Sequence, residues 1–131
     1  ELSAELYRLE GLAAQDVGRE RAMAELIAHP ELGAAWLIRA DGCVAGYVVL
    51  TVCYSLEFHG RFGLLDELYL EEAWRGKGTG KAALAFVDDE CRQRGLKAVR
   101  LEVGHANARA LELYRRSGYR VAERHLMTKW L

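Results

Sequence analysis

The sequence predicts one α/β (α+β) domain in which a mixed sheet is covered by helices. Two early strand patterns, at 35–39 and 44–54, are joined by a two-residue hairpin signal. Two later ones, at 64–70 and 98–103, are separated by a helical pattern. Hairpins connect antiparallel strands and helical crossovers connect parallel ones, so both kinds of pairing are expected in the same sheet. Residues 1–131 contain no repeat or linker and have the length of a single domain.

The N-terminal part of the chain predicts two helices and then a hairpin. Apolar residues recur at helical spacing over 2–14 and again over 18–28, and a proline ends the second pattern. The apolar run at 35–39 is typical of a strand. Asp41-Gly42 follows it and signals a hairpin, because both residues tolerate the left-handed conformation that tight turns need.

The middle of the chain predicts three further strands around one helix. A long strand at 44–54 is followed by a polar loop at 55–63 and by a strand at 64–70. The segment 79–94 carries small and apolar residues on one helical face, and a glycine follows it as a helix stop. At 98–103, valine and leucine alternate with charged residues, as in a half-buried strand.

The C-terminal part predicts one helix and two short strands. Asn107 is a favourable N-cap, because its side chain can accept a hydrogen bond from the first helical turn. The helix that it begins is expected to end before Gly118. Short strands are expected at 119–123 and 126–131.

Charge and hydropathy argue against two classes of function. The formal net charge is −1, without the basic excess that broad nucleic-acid binding requires. No apolar run approaches the ~20 residues that span a bilayer, so neither a nucleic acid nor a membrane is an expected partner. The basic residues within 75–81 therefore indicate a local site.

The cysteines and histidines predict neither a disulfide framework nor a metal site. Cys43, Cys53 and Cys91 are odd in number and form no C-x-x-C pair, which is typical of reduced thiols in a cytoplasmic protein. The four histidines are scattered without ligand spacing, so no metal is expected.

A glycine-rich basic segment, 74–81, connects the strand at 64–70 to the helix at 79–94. Glycines let the backbone approach a ligand closely, and the first N–H groups of a helix lack internal partners. The helix dipole adds partial positive charge at the same place, and the basic side chains add more. This combination predicts a site for phosphate oxygens.

Two common phosphate-binding patterns do not fit this segment. A P-loop requires Gly, four residues and then Gly-Lys-Ser/Thr, but Arg75 stands at the first glycine and Ala82 at the hydroxyl position. The dinucleotide pattern G-x-G-x-x-G requires a glycine where Lys81 stands. A third pattern, Arg-x-x-Gly-x-Gly, is met by Arg75, Gly78 and Gly80.

A second block, Asn107-x-x-Ala-x-x-x-Tyr114, is followed by Gly118-Tyr119. The two blocks together resemble the cofactor motifs of the GNAT superfamily of acetyl-CoA-dependent N-acyltransferases. The strand Leu-Asp-Glu-Leu-Tyr-Leu at 65–70 also resembles that of spermidine/spermine acetyltransferases.

The resemblance covers 35–131 and implies the GNAT fold. In that fold the central sheet is mixed, and a V-shaped splay opens between the strands that match 64–70 and 98–103. A further strand precedes the helices in that fold. None is evident in this sequence, so either the chain was trimmed or this first strand is absent.

The resemblance also implies that acetyl-CoA is the cosubstrate. Backbone groups of the strand would pair with the pantetheine amides, as though the cofactor were an added strand. Backbone N–H groups of the glycine-rich segment would hold the pyrophosphate. The residues implied in cofactor binding are Leu68, Tyr69, Leu70, Arg75, Gly76, Lys77, Gly78, Thr79, Gly80, Lys81, Asn107 and Arg109.

The implied reaction is the attack of a neutral amine on a thioester. An alkylammonium has a pKa of about 10.4, so a carboxylate must take its proton at neutral pH. Asp66 and Glu67 lie on the cofactor strand, and regular alternation points them to opposite faces. The resemblance to polyamine enzymes favours Asp66 as the acidic contact, with Glu67 as the alternative. Tyr114 matches the tyrosine that donates a proton to the departing thiolate in the family.

Several acceptors are compatible with the sequence: a small-molecule amine, such as a polyamine, or a protein amine. The residues around 54–63 and the helices within 2–28 are expected to line the acceptor pocket. A homodimer is a further expectation, with Leu126, Met127 and Trp130 as contributors, although core packing explains them equally well.

Two other functions are compatible with parts of the pattern. A non-catalytic acyl-CoA-binding sensor or interaction module is disfavoured by the intact Asp66, Glu67 and Tyr114. A nucleotide-phosphate binder is disfavoured because both of its patterns fail.

Overall fold

The computed structural model describes residues 17–131, which form three helices and four strands in the predicted order. The elements are α1 (Val17–Ala28), β1 (Gly33–Ala40), β2 (Cys43–Ser55), β3 (Gly60–Leu70), a short 3₁₀ turn (Glu72–Trp74), α2 (Thr79–Gln93), β4 (Val99–Leu101) and α3 (Ala108–Arg116). The helix expected at 2–14 lies outside the described residues. The other helices and the first four strands are confirmed, with shifted ends.

The four strands form one mixed sheet in the order β1-β2-β3-β4. The first two pairs are antiparallel, and β3 pairs with β4 in parallel. Asp41 and Gly42 connect β1 to β2 with φ values of 48° and 79°. Both lie in the left-handed region that a tight hairpin requires, which explains why this turn could be read from sequence. The prediction of a mixed sheet with flanking helices is confirmed.

Helices cover both faces of this sheet. On one face α2 and α3 pack against β2 and β3, and the buried cluster there is Val48, Leu50, Leu65, Leu84, Val87, Cys91 and Leu96. On the other face α1 contributes Met23 and Leu26, which pack against the buried cluster of Tyr47, Val49 and Tyr69. The residues of β3 therefore divide between two cores.

The polar loop predicted at 55–63 is wrong in most of its length. β2 continues to Ser55 and β3 begins at Gly60, so the connection shrinks to four residues, 56–59. The ladder holds at its end because Ser55 pairs with Gly60 and because Phe62 is buried, with its ring centroid 4.9 Å from that of Phe58. Charged residues flank Phe58 and Phe62 in the sequence, so the segment was interpreted as a polar loop and not as the ends of two strands.

The two short strands predicted after α3 are also wrong in this structure. Residues 119–123 and 126–131 carry no regular secondary structure, and all of 120–131 are exposed. β4 is only three residues long and pairs with β3 alone among the described strands. Residues 119–131 therefore add no strand to the sheet formed within residues 17–131.

Candidate functional site

β3 and β4 part before β3 ends. Their parallel ladder joins Gly63 to Val99 and ends where Leu65 meets Leu101, whereas β3 continues to Leu70. The edge of β3 beyond Leu65 therefore has no β4 partner in the ladder. This confirms the splay that the resemblance implied, and a strand edge of this kind can pair with an extended ligand.

Asp66 is the extra residue of a bulge at this same point. In the antiparallel ladder Leu50 pairs with Leu65 and Val49 pairs with Glu67, so no β2 residue pairs with Asp66. Leu65 and Leu68 both pack in the core under α2, although residues three apart on a regular strand face opposite sides. The bulge interrupts the regular alternation on which the assignment of Asp66 and Glu67 to opposite faces was based, so that assignment stays a prediction.

Glu67 is held by two neighbouring elements. Arg19 of α1 donates from one guanidinium nitrogen to both Glu67 carboxylate oxygens, at 3.0 and 2.9 Å, and the Tyr47 hydroxyl donates at 2.7 Å. The Glu67 side chain is only 9% exposed. Burial is the main cause that raises the pKa of Tyr47, and the Glu67 carboxylate is the second. The carboxylate of Glu67 is thus engaged in fastening α1 to the sheet.

Asp66 has a different environment. It is exposed by surface area, yet nearby protein atoms still reduce the hydration of its carboxylate. That desolvation is the main cause that raises the pKa of Asp66, and repulsion from Glu67 and Glu102 raises it further. Arg19 lowers the same pKa, but by less. A carboxylate with a raised pKa and an accessible surface is suited to accepting a proton.

The glycine-rich segment forms a bent loop that ends in the first turn of α2. Gly76 and Gly78 have φ values of 71° and 86°, a region that side chains with a Cβ rarely enter. Gly78 is the N-cap residue, and no side chain of residues 17–131 caps this end of α2. The first helical bond runs from Ala82 N to Gly78 O at 3.0 Å. The N–H groups of the residues in between are those that a helix leaves without internal partners, so this end of α2 is suited to binding an anion.

Arg75 anchors this loop to the end of β3. Its Nε donates to the carbonyl oxygen of Leu70 at 2.8 Å, and its guanidinium carbon lies 5.8 Å from the centroid of the Tyr69 ring. The neighbouring Lys77 ammonium lies 5.3 Å from the centroid of the Trp74 ring. The open edge of β3 and the anion-binding loop are therefore continuous.

The two sequence motifs meet at the glycines. A Cβ placed on Gly80 would lie 3.0 Å from Leu113 of α3, and one on Gly76 would lie 3.0 Å from a guanidinium nitrogen of Arg109. A side chain at either glycine would therefore require Leu113 or Arg109 to shift, and glycine allows α2 and its loop to approach α3 without that shift. Arg109, predicted to contact the cofactor, is thereby placed beside the anion-binding loop.

Asn107 begins α3 as the sequence predicted. Its Oδ1 accepts a hydrogen bond from the backbone N–H of Ala110 at 3.1 Å. This bond satisfies one of the unpaired donors of the first turn. The capping role is confirmed, and the contact with a cofactor stays a prediction.

Tyr114 is half-buried on α3 and packs edge-on against Tyr119, with ring centroids 5.8 Å apart. It lines a cavity of about 1420 Å³ that runs along the open side of β4. Glu102 and His105 also line this cavity, whereas Asp66 and the glycine-rich loop do not. The structure therefore brings the two cofactor motifs together, and Tyr114 lines this cavity whereas Asp66 does not.

Sequence reasoning missed three residues of this region. Arg19 and Tyr47 hold Glu67 from positions 48 and 20 residues away, and no local pattern signals such contacts. Glu102 adds to the acidity around Asp66. The sequence could have indicated Glu102, because it is one of the charged residues in the alternating pattern of 98–103.

Two searches of residues 17–131 bear on partners and metals. These residues hold no group of three or more His, Cys, Asp or Glu side chains arranged to bind a metal ion. None of the helices formed by 17–131 combines the length and apolar character that crossing a membrane requires.

The fold and the site define an α/β domain that offers an open strand edge leading into an anion-binding helix end. The model of the acetyltransferase (GNAT) family matches residues 3–119. The chain belongs to this family, which confirms the resemblance of the two motifs.

Three curated relatives are similar over part of the chain. An IAA acetyltransferase of Azospirillum brasilense is 31% identical over 57% of this chain and 49% of its own. A thialysine N-epsilon-acetyltransferase of Bos taurus is 33% identical over 58% and 44%. A streptothricin acetyltransferase of Streptomyces lavendulae is 34% identical over 63% and 41%. The chain thus spans about half the length of the curated relatives it matches, or less.

Solved structures match most of the chain. An integron cassette protein from the mobile metagenome of Cole Harbour Salt Marsh has a TM-score of 0.86 at 33% identity, over 99% of this chain and 80% of that one. An aminoglycoside N-acetyltransferase in complex with CoA has a TM-score of 0.70 at 18% identity, over 83% and 74%. The second likeness concerns the fold alone.

Proposed function

We propose that this protein transfers an acetyl group from acetyl-CoA to a primary amine, by direct attack within a ternary complex. The observation that carries the proposal is the continuity between the open edge of β3 and the uncapped N-terminus of α2, which Arg75 fastens together. An extended chain that ends in a diphosphate matches both parts at once. Family membership supports the same chemistry.

The chain's own residues suit each part of such a cosubstrate. Backbone groups of Leu68 to Leu70 would pair with the pantetheine amides, and the N–H groups around Gly78 to Lys81 would hold the diphosphate. The basic side chains of Arg75, Lys77 and Arg109 would offset its charge. Acetyl-CoA, when bound, supplies the thioester carbonyl that the amine attacks.

Asp66 is proposed as the base and Tyr114 as the acid. Asp66 removes a proton from the ammonium of the acceptor, whose nitrogen then bonds to the acetyl carbon. As the carbon–sulfur bond breaks, Tyr114 donates its phenolic proton to the departing thiolate, and the second proton that the acceptor nitrogen loses returns to the tyrosine oxygen through solvent. Glu67 is less suited to the first step, because Arg19 and Tyr47 already hold its carboxylate.

The acceptor is proposed to be a cationic amine. Asp66, Glu67 and Glu102 interact electrostatically at the mouth of the splay. The names of two relatives, a thialysine and a streptothricin acetyltransferase, are those of enzymes that act on small amine-bearing molecules. A small amine is therefore favoured over a protein amine.

A cytoplasmic location is proposed on the state of the cysteines. Cys43 is exposed, Cys53 is half-buried and Cys91 is buried, and all three are free. Burial raises the pKa of the Cys91 thiol to about 11, which keeps it unreactive. Free thiols in these environments fit a reducing compartment.

The proposal is tested by measuring thiol release from acetyl-CoA across a panel of amines. Turnover with at least one amine is expected, together with CoA binding measured by calorimetry. The Tyr114→Phe variant should keep CoA affinity but turn over about 10²–10⁴-fold more slowly. Thr128→Val is the control, since it removes a hydroxyl from an exposed residue that lies outside the cavity and both cofactor motifs.

The outcomes separate the competing functions. Tight CoA binding without turnover of any amine would favour a sensor and contradict the enzyme. Displacement of CoA by ATP at equal concentration would instead favour a nucleotide-phosphate binder.

A further inference from the structure

α1 meets the sheet along one of its faces. Arg19, Met23 and Leu26 occupy positions i, i+4 and i+7 of this helix, so they share that face. Met23 and Leu26 pack against the buried cluster beneath the helix. A helix held by packing alone would continue such a stripe with another apolar residue, yet the third position is an arginine. Its partner in the sheet is the carboxylate of Glu67.

Arg19 stands where the helix itself does not favour a cation. It lies in the first turn of α1, and the dipole of a helix places partial positive charge at that end. The side chain of Arg19 is 24% exposed and that of Glu67 is 9% exposed, so both charges have lost much of their water. Removing one partner of such a pair leaves the other charge buried and uncompensated. The favourable interaction that Arg19 gains at this position is therefore the one with Glu67.

The Glu67 carboxylate is neutralised where it stands. One guanidinium nitrogen of Arg19 donates to both carboxylate oxygens, and the Tyr47 hydroxyl donates to one of them. Hydrogen bonds between ionised partners are stronger than those between neutral ones. A carboxylate engaged in this way offers only a weak site to the ammonium of an acceptor.

Asp66, the preceding residue, is in the opposite situation. No ion pair formed within residues 17–131 includes it. The charged side chains that act on it come from three elements: Glu67 from β3 itself, Glu102 from the end of β4 and Arg19 from α1. Desolvation raises the pKa of Asp66 most, the two glutamates raise it further, and Arg19 lowers it. Of these three side chains Arg19 alone is a cation, so it is the one that favours the ionised form of Asp66.

We propose that Arg19 is a positioning residue for the acceptor, because by neutralising Glu67 it directs the incoming ammonium to Asp66 and keeps Asp66 able to take a proton. The inference rests on the proposed function, since it concerns the base of the same site. Arg19 acts through Glu67 and through its positive charge, not on the reacting atoms.

Loss of the guanidinium would change the site in two ways. Glu67 would become a second carboxylate without its cation, next to the base, and its charge would repel that of Asp66. It would also compete for the acceptor ammonium in a position that leads to no reaction. Unproductive binding of this kind occupies the site, so it lowers kcat and the KM for the amine by the same factor.

The titration of Asp66 can be measured without acetyl-CoA or turnover, by carbon-13 NMR of the aspartate carboxyl groups in the full chain. Asp66→Asn identifies the signal. Arg19→Gln should raise the pKa of Asp66, whereas Arg19→Lys keeps the charge and should leave it close to the wild-type value. Arg21→Gln is the matched control, because Arg21 is an exposed arginine two residues along the same helix and should not affect Asp66. An Asp66 pKa that is the same in Arg19→Gln as in the wild type, or that Arg21→Gln raises equally, would overturn the proposal.

A second background keeps the test decisive if Arg19→Gln does not fold, since that variant leaves Glu67 charged in a largely buried position. The same substitution is made together with Glu67→Gln, so that position 67 carries no charge, and circular dichroism verifies the fold. Adding Arg19→Gln to Glu67→Gln should raise the pKa of Asp66 relative to Glu67→Gln alone. An unchanged pKa in this pair would contradict the inference as well.

Steady-state kinetics with the best amine of the panel give an independent measurement. In Arg19→Gln, kcat and the KM for the amine should fall together, and the acid limb of kcat/KM against pH should move to higher pH. Arg19→Lys should restore both. A role in stability alone would lower kcat through a smaller folded fraction and change neither KM nor the limb, which would count against the proposal. Absence of turnover by the wild type would contradict the proposed function, whereas an Asp66 titration that does not respond to Arg19 contradicts this inference.

Discussion

The hydroxyl of Tyr47 donates a hydrogen bond to the carboxylate of Glu67 at 2.7 Å. The same carboxylate accepts from Arg19, so a strand, its neighbour and the covering helix α1 meet at one side chain. Asp66, one residue earlier, is the bulged residue of the same strand. The two adjacent carboxylates thus differ in environment: Glu67 fastens α1 to the sheet, whereas Asp66 is accessible, which suits its proposed role as the base.

The first prediction separates these carboxylates by activity. Asp66→Asn keeps the size of the side chain but removes the proton acceptor, so kcat should fall by about 10²–10⁴-fold. Its KM for acetyl-CoA should change little, because the cofactor residues are elsewhere. Steady-state kinetics with the best amine of the panel measure both. A wild-type kcat in Asp66→Asn would remove Asp66 from the mechanism.

The second prediction concerns Glu67→Gln and stability. The substitution removes the charge that Arg19 faces in a partly buried pair, which should cost about 1–3 kcal/mol of unfolding free energy. Tyr47→Phe is the matched variant, since it deletes only the hydroxyl and should cost less, about 0.5–1.5 kcal/mol. Urea unfolding measures both. An undiminished stability of Glu67→Gln, with kcat as low as in Asp66→Asn, would instead make Glu67 the base.

The local features of the site could be predicted from the sequence, whereas the long-range ones could not. Gly78 and Asp41-Gly42 determine the backbone conformation within a few residues. The glycine-rich loop and the β1–β2 hairpin could therefore be predicted from the sequence. The bulge at Asp66 depends on which β2 residues lie opposite, which no local pattern specifies. The hydrogen-bond partners of Glu67 likewise depend on tertiary contacts. So does the fact that 119–131 add no strand to the sheet formed within 17–131.

The third prediction tests the anion-binding loop through Gly78→Ala. Gly78 has a φ of 86°, and open space surrounds the position of a Cβ, so any effect arises from backbone strain. The left-handed conformation costs a residue with a side chain roughly 1–2 kcal/mol. Relaxation of this strain should disturb the N–H groups at the start of α2 and weaken CoA binding, as calorimetry would show.

Gly42→Ala is the control for that variant. Gly42 has a φ of 79° and equally open surroundings, but it lies in the β1–β2 hairpin. It should lose similar stability and keep the wild-type affinity for CoA. If both variants weaken CoA binding to the same degree, the effect is global and the loop has no special role.

The fourth prediction follows from the raised pKa of Asp66. Desolvation, then Glu67 and Glu102, disfavour its charged form in the folded protein relative to the unfolded chain. Ionised Asp66 therefore opposes folding: the penalty is absent below the unfolded pKa and complete once the pH has risen through the higher, folded pKa. Asp66→Asn should accordingly be more stable than the wild type at pH 7, and this advantage should shrink as the pH falls to about 3, below the ordinary aspartate pKa of ~3.9. Thermal unfolding at both pH values measures it, with Asp89→Asn as control because Asp89 is an exposed carboxylate of α2 paired with Arg92. An advantage that is equal at the two pH values would show that the asparagine acts through packing and that the charge of Asp66 is not strained.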